Sequence, residues 1–538
     1  MTWLLPPAAA LAAWLGVARA RDHAAVEAAA GQLAAGKLQE AHGAFLTLSG
    51  SHWVGPRARA GFAVVRALGG EALPAAGLAP EELRAFALPH LMEAALARRE
   101  FEGCAALARL AQSADEPAAT AYLAAALLEE GQLDAARRTL EPRANGPWSH
   151  GLEREVARTL ELHAHGGTTV VRDRGGELAG VLDADGRLHL LEEAARAWVP
   201  VSGLGEHAAE PGLRVSVDLE LSRLAEESLA GYRGSVVLLD PVTGAVLAAV
   251  SDPRTRREGG TPAFEQRREP ASIAKIITTT AALRAGLDPD AEISRMTCTG
   301  SQHYEGGTLW CARAGGQLGG LDEAMATSCN TAFANLGLLV GRAAVVEEFR
   351  RYGFDSDRLG AGRIKAPDGD NRQLADLAIG LEATDITPVH AALLAAVVAN
   401  GGSLPEPWLV TATDGLLGRS PRPRPHPPAR RVLDPAWVPT LRRSMEAAVL
   451  PGGTAAGLGT PAFPVAMKTG TAAEWRRGYH VNYIGFGPLP HPRLAFCVRV
   501  THQPSSWRAT RAGREVTAAV LAAVQRRWAS LSRTWVAR

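Results

Sequence analysis

Pro270-Ala271-Ser272-Ile273-Ala274-Lys275 and, far downstream, Val465-Ala466-Met467-Lys468-Thr469-Gly470-Thr471 decide the reading of this chain. Only four of its 57 basic residues are lysines (Lys37, Lys275, Lys365 and Lys468), and two of the four stand in these segments. Arg keeps its proton in any protein environment, whereas a Lys withdrawn from water gives its proton up and serves as a base. A GC-rich coding bias accounts for the scarcity of Lys but not for where the remaining lysines stand. Chance would put a Ser-x-x-Lys in roughly one chain of this composition in six, and a Lys-Thr-Gly in roughly one in forty. Together, in this order and with Ser328-Cys329-Asn330 between them, they form a specific signal.

The chemistry of the three segments fits one site. Ser272 follows Pro270 and opens a predicted helix, and Lys275, three residues on, falls on the same face one turn up. A serine hydroxyl is a poor nucleophile until a base takes its proton. A dry Lys beside another cation drops from a pKa of about 10.4 towards neutrality and supplies that base. Ser328 can relay a proton between Lys275 and a leaving amine, and the Asn330 amide can fix a substrate peptide group. Lys468 supplies a positive field, the Thr469 and Thr471 hydroxyls can grip a carboxylate, and Gly470 leaves room for a substrate backbone along an edge strand. The backbone N–H groups of Ser272 and Thr471 would complete an oxyanion hole for acyl transfer.

At 538 residues the chain is expected to form two or more domains. Its net charge of +1 gives no argument for nucleic acid. The five cysteines are too few for a disulfide scaffold, and no Cys-x-x-Cys or His-x-x-x-His pattern points to a metal. Cys298 and Cys311 flank a Gly-rich loop (Thr299–Trp310) and would pair in an oxidising compartment; two unpaired loop cysteines are the other reading. Trp3 to Ala18 is uncharged and apolar and is followed by Arg19 and Arg21. It is short for a membrane span and reads as a signal peptide or short anchor over 1–21, with a buried N-terminal helix as the second reading.

Residues 22–165 read as helical throughout. Leu133, Ala136, Leu140 recur as Leu38, Ala41, Phe45 and as Phe101, Cys104, Ala108. Those spacings are near multiples of 32, close to the 34-residue tetratricopeptide period; an Ala-rich helical bundle is the other reading. Residues 168–210 alternate as short strands. From 211 to 538, strands at both ends enclose long helical stretches (Ile273–Ala285, Leu321–Val340, Pro388–Asn400), which predicts one mixed α/β domain. Gly234–Leu239 and Ala245–Val250 form a predicted hairpin across Asp240–Gly244, and Arg419–Arg431 reads as a solvated Pro/Arg loop.

These residues resemble the three motifs of the penicillin-binding protein and serine β-lactamase superfamily. Arg214–Pro253, Ser328-Cys329-Asn330-Thr331-Ala332-Phe333, Ile386–Gly402 and Gly452-Gly453-Thr454 resemble a monofunctional, class B-like penicillin-binding transpeptidase, and Val171–Ala179 resembles the start of that class's non-catalytic region. The resemblance covers about 168–538. It implies a transpeptidase domain with an antiparallel sheet flanked by helices, preceded here by an all-α repeat-like domain. It implies no cofactor and no metal, and as substrate the peptide stem of peptidoglycan. Ser272 would attack the carbonyl before a terminal D-Ala, and β-lactams would inhibit by acylating it. The catalytic region would be periplasmic or otherwise extracytoplasmic, membrane-anchored or secreted, with a SEDS-family glycan polymerase or another cell-wall protein as partner of the helical domain.

Three departures stand out: Ala271 where the family usually has Gly, Asn482-Tyr483-Ile484-Gly485 where Trp-Phe-x-Gly is common, and a non-catalytic region of about forty residues. A β-lactamase would need a water-activating base, and no Glu-x-x-Leu-Asn lies between the second and third motifs. A D,D-carboxypeptidase would use the same acylation chemistry, and a non-catalytic scaffold with a ligand-binding transpeptidase fold would keep the shape without the reaction. His480 and Tyr479 either line the cleft or serve structure.

Overall fold

The computed structural model describes residues 7–536 apart from 72–77, 114–115, 142–150, 165, 192–203, 258–260, 313–314, 366–368, 382–383, 420 and 475. The front part is helical: α1 (Pro7–Ala34), α2 (Leu38–Leu48), α3 (Gly55–Leu68), α4 (Pro80–Arg84), α5 (Leu88–Ala97), α6 (Phe101–Gln112), α7 (Ala119–Glu129), α8 (Leu133–Leu140) and α9 (Gly151–Ala164). The recurring sequence triplets fall on α2, α6 and α8, and Ala41, Phe45, Cys104, Ala108, Ala136 and Leu140 are all buried. Small residues let these helices close on one another. A Cβ on Gly103 of α6 would lie 2.3 Å from the Leu68 carbonyl oxygen of α3, so only Gly fits that crossing.

Of the apolar run Trp3–Ala18, residues 3–6 lie outside the described residues, and the rest begins α1. Among the described residues no helix is long and apolar enough to cross a membrane.

Two sheets follow. The first contains β1 (Gly167–Arg172), β2 (Leu178–Asp183), β3 (Leu188–Leu190) and β4 (Gly212–Val215), the second β5 (Gly234–Leu239) and β6 (Val246–Ser251). Later in the chain β7 (Val410–Asp414) and β8 (Arg422–Pro423) join the first, and β9 (Ala466–Glu474), β10 (Gly478–Gly487) and β11 (Leu494–Gln503) join the second. The first sheet runs β8–β7–β4–β1–β2–β3, parallel only between β1 and β4, so strands from both sides of residue 210 share it. The Arg419–Arg431 stretch is therefore not simply solvated: Arg422 and Pro423 form an edge strand, and Arg419 pairs with Glu93 and Glu155 of the helical part. Val170, Val181, Leu416 and Leu417 extend the apolar core of the helices into this sheet.

The second sheet, β9–β10–β11–β5–β6, is antiparallel throughout and holds Lys468–Thr471 on its edge strand β9. Helix α10 (Leu219–Ser228) and the closing helix α15 (Ser506–Val536) cover one face; α14 (Pro388–Ala399) covers the other. Because both faces are buried, β5 reads as a continuous apolar run: Val236 and Leu238 join the core under α15, Val237 and Leu239 the core under α14. All twelve residues of α14 are buried, which explains why it is apolar all round. Between the outer strands lie α11 (Lys275–Arg284), α12 (Leu321–Thr327) and α13 (Asn330–Val340). The helix expected over Leu321–Val340 is thus two helices, broken where Ser328 takes a left-handed φ of 58°.

Candidate active site

Ser272 sits in a 3-10 turn, Ala271–Ala274, that runs into α11. Ala271 has φ 51°, a left-handed conformation that costs an L-residue roughly 1–2 kcal/mol. Its N–H donates to the Gly380 carbonyl at 2.8 Å. The position where the family favours Gly is therefore one where Gly would be unstrained, and this chain holds the same backbone with Ala.

Lys275 is fully buried, and its ammonium donates to the Ser328 carbonyl (2.7 Å), the Ser328 hydroxyl (3.2 Å) and Asn330 Oδ1 (2.8 Å), with the Phe333 ring 5.4 Å away. Burial brings its pKa down to about 7, partly opposed by the Cys329 and Cys311 thiols. Lys468, also fully buried, donates to the same Ser328 hydroxyl at 2.8 Å and to the Thr469 carbonyl at 2.9 Å. Burial, and then the neighbouring Lys275, hold Lys468 well below the usual lysine range. The break at Ser328 makes this convergence possible, because it turns the second motif's oxygens towards both lysines. Ser328 Oγ thus stands within hydrogen-bond reach of both lysine nitrogens, 3.2 Å from Lys275 and 2.8 Å from Lys468.

The third motif lies on β9. Gly470 has a different use from the one its sequence position suggests. A Cβ there would stand 2.7 Å from the Pro270 carbonyl oxygen and 3.1 Å from the N atoms of Ser272 and Ile273. The Pro270–Ile273 turn takes that space, so the absence of a side chain at Gly470 lets β9 lie against the backbone of Ser272. Ser272, Ser328, Asn330, Thr469, Gly470 and Thr471 line one cleft of about 590 Å³. Its outer wall includes Gly452, Gly453, Thr454, Ser506, Trp507 and Thr510. Lys275 and Lys468 lie beneath this lining.

Three supports were not evident from the motifs. Asn330 Nδ2 donates to the Trp310 carbonyl at 2.8 Å, so the Gly-rich loop sets the second motif's amide. Asn482, opposite Gly470 in the β9–β10 register, directs its Nδ2 to the Pro270 and Glu269 carbonyls (3.3 and 3.5 Å). Arg499 on β11 is 1 % exposed and binds Asn482 Oδ1 (2.7 Å) and the Gln266 and Ile386 carbonyls (3.0 Å each). An Arg in the apolar run Leu494–Val500 was the available signal. His480 is buried beneath the site: Nε2 donates to the Glu269 carbonyl at 2.8 Å and Nδ1 lies 2.7 Å from Glu474. Burial, then Arg499, lowers its pKa, and its contacts on both ring nitrogens tie the Glu269 backbone to Glu474 of β9. None of the five cysteines forms a disulfide; Cys298 and Cys311 lie with their sulfurs 3.5 Å apart.

Known proteins share this arrangement. The chain is 30% identical over 325 residues to the peptidoglycan D,D-transpeptidase PbpA of Mycobacterium tuberculosis, covering 52% of this chain and 64% of that protein. It is 26% identical over 341 residues to the peptidoglycan D,D-transpeptidase MrdA of Acinetobacter baumannii, covering 53% and 50%. The chain thus spans less than two thirds of the length of these curated relatives. Two thirds of the chain resembles in fold penicillin-binding protein A from M. tuberculosis, solved as a ceftriaxone acyl-enzyme (TM-score 0.55, 23% identity, 67% of this chain and 99% of that one). It also resembles in fold the D,D-transpeptidase domain of a peptidoglycan glycosyltransferase from Eggerthella lenta (TM-score 0.55, 20% identity, 66% and 98%). The pattern of the penicillin binding protein transpeptidase domain matches residues 234–525, more than half of the sequence, and the chain belongs to that family.

Proposed function

We propose that this protein is a peptidoglycan D,D-transpeptidase, a serine acyltransferase that cross-links stem peptides through an acyl-enzyme on Ser272 and is itself acylated by β-lactams. The observation that carries the reading is the Ser328 hydroxyl shared by two buried lysines, 3.2 Å from Lys275 and 2.8 Å from Lys468, in the cleft lined by Ser272. Family membership and relatives named peptidoglycan D,D-transpeptidase support it.

Neutral Lys275 accepts the Ser272 proton as the serine oxygen attacks the carbonyl preceding the terminal D-Ala. The N–H groups of Ser272 and Thr471 receive the developing oxyanion. The proton then passes through the Ser328 hydroxyl to the leaving amine, and D-Ala departs. The amine of a second stem attacks the ester and returns its proton along the same path. Lys468, Thr469 and Thr471 hold the terminal carboxylate, whose charge restores the proton to Lys468. The catalytic region works outside the cytoplasmic membrane, with the N-terminal segment directing export or anchoring, and the helical part engages a cell-wall protein such as a SEDS-family glycan polymerase.

The test is labelling of the full-length protein with a fluorescent penicillin, beside Ser272→Ala. One adduct on Ser272 that persists for many minutes is expected by intact mass. Label surviving in Ser272→Ala would sink the assignment. Rapid loss of the adduct would indicate a β-lactamase, and D-Ala release from stem peptides without cross-linked product a carboxypeptidase.

A further inference from the structure

Three of the five cysteines, Cys298, Cys311 and Cys329, meet beside the second motif. Cys311 Sγ lies 3.5 Å from Cys298 Sγ and 3.9 Å from Cys329 Sγ, and all three sulfurs fall within 4.8 Å of one another. Cys298 and Cys329 are 2 % and 6 % exposed, whereas Cys311 is half-buried and is the member of the cluster most open to a reagent in solvent. Cys311 is also the most reactive by environment. Its hydrogen bond with the Cys329 thiol, more than that from the Thr331 N–H at 3.4 Å, holds it below the usual thiol range despite burial. Cys329 is pushed the other way by the same contact and by burial. Two of the three adjoin the catalytic apparatus. Cys311 follows Trp310, whose carbonyl holds Asn330 Nδ2; Cys329 stands between Ser328 and Asn330, both bound by Lys275.

We propose that this cluster is a thiol–disulfide site in which Cys311 is the shared sulfur, pairing with Cys298 to fix the Trp310 carbonyl on Asn330, and with Cys329 as the exchange partner. The inference concerns regulation of the site described above and rests on the transpeptidase reading for its effect on rate, though not for the thiol chemistry. The oxidant is a disulfide of the glutathione class. Cys311 gives up its proton as its sulfur attacks one sulfur of the disulfide and forms a mixed disulfide; the first glutathione leaves as a thiolate and takes up that proton. The Cys298 sulfur, giving up its proton, then attacks Cys311 Sγ; the second glutathione leaves and takes that proton. Two thiols are oxidised and one external disulfide is reduced to two thiols. An S–S bond of about 2.05 Å requires less movement from the 3.5 Å pair than from the 3.9 Å pair. Attack of Cys329 on Cys311 Sγ would transfer the bond and return a proton to Cys298. That second pair tethers the residue between Ser328 and Asn330 and slows the site. Negative charge on Cys329 or Cys311 raises the proton affinity of Lys275, and the first disulfide removes the thiolate at Cys311, which favours neutral Lys275.

The experiment equilibrates the full-length protein in reduced and oxidised glutathione, quenches with acid, alkylates in denaturant and reads intact and peptide masses. Each sample is also acylated with benzylpenicillin. The oxidised protein is expected to lose two hydrogens, map to Cys298–Cys311 and keep Cys104, Cys329 and Cys497 alkylatable. Its second-order acylation rate is expected to exceed that of the reduced protein by about fivefold, the size of effect when one positioned hydrogen bond loosens. Cys298→Ser is expected to pair Cys311 with Cys329 and to acylate more slowly than the oxidised wild type. Five alkylatable thiols in oxidising buffer, equal acylation rates in both redox states, or Cys298→Ser remaining a dithiol would each overturn the proposal. So would stoichiometric zinc that protects all three sulfurs from alkylation, which would make the cluster a metal site. A mapped Cys298–Cys311 bond with no acylation in either state supports the pairing and overturns the transpeptidase reading.

Discussion

The junction with the helical part and the floor of the cleft both bury charge, and they solve the problem in opposite ways. At the junction the described arginines pair with carboxylates. Arg419 pairs with Glu93 at 2.6 Å and Glu155 at 3.2 Å, and Arg214 with Asp414 at 3.0 Å. The Glu129 carboxylate accepts the Leu416 and Leu417 N–H groups at 3.0 and 2.8 Å. In the cleft, the acceptors of Lys275 and Lys468 are neutral oxygens of Ser328, Asn330 and Thr469. An ion pair keeps both partners charged, whereas a buried cation offered only neutral acceptors gives up its proton. One region pairs its charges; the other leaves a lysine that, in the proposed mechanism, serves as a base.

The largest test of that contrast is Lys275→Arg. Arg preserves the cation but cannot supply a free base, so penicillin acylation is expected to fall by about 10² to 10⁴-fold, the range of general base catalysis. Lys468→Arg keeps a positive field and is expected to lose much less. Equal losses in the two variants, measured as second-order rate constants, would erase the difference in role between the lysines.

Gly470→Ala asks whether the cleft depends on backbone contact as closely as on charge. The new Cβ would lie 2.7 Å from the Pro270 carbonyl, so either β9 or the Ser272 turn must move. A displacement near 1 Å at a nucleophile costs about a hundredfold in rate. The prediction is a drop of that order with cooperative unfolding retained. An unchanged rate would mean that the turn is free to shift, and that the contacts of Asn482 and Arg499 do not fix it.

How far the sequence foretold these regions follows from what each signal depends on. Ser272, Lys275, Ser328, Asn330 and Lys468 to Thr471 stand out in the sequence as particular residue types at short spacings, and the structure brings them together around one cleft. Strands β5, β6 and much of β11 were legible because both faces of this sheet are buried and leave nearly continuous apolar runs. The break at Ser328 was not legible: Leu321–Val340 is helix-forming on both sides, and only tertiary contacts impose the left-handed residue. Nor was the use of Gly470, since its neighbour is Pro270, 200 positions earlier. Arg419 read as solvated because its acidic partners belong to helices more than 250 residues away.

The pH dependence of acylation sharpens the contrast next. Lys275, with a pKa of about 7, is protonated and unable to accept the Ser272 proton below that value, and neutral above it. The acylation rate should therefore fall roughly tenfold per pH unit below about 7 and level off above it. A profile still rising steeply to pH 9 would put Lys275 in the ordinary lysine range and make the cleft electrostatically like the junction.

The smallest expected effect lies at the junction itself. Arg419 keeps 25% of its side chain exposed, and Glu93 and Glu155 keep 47% and 29%, so solvent screens these pairs and each contributes at most about 1 kcal/mol. Arg419→Ala should lower the melting temperature by ~2 °C or less. Because no step of the chemistry uses this residue, the acylation rate should stay within about twofold of the wild type. Removing all of the helices is a different experiment, because it would expose Val170, Val181, Leu416 and Leu417 along the first sheet. A tenfold loss of acylation in Arg419→Ala with little change in melting temperature would mean that the ion pairs transmit to Ser272. Charge at the junction would then serve the reaction after all, and the division of labour between the two regions would fail.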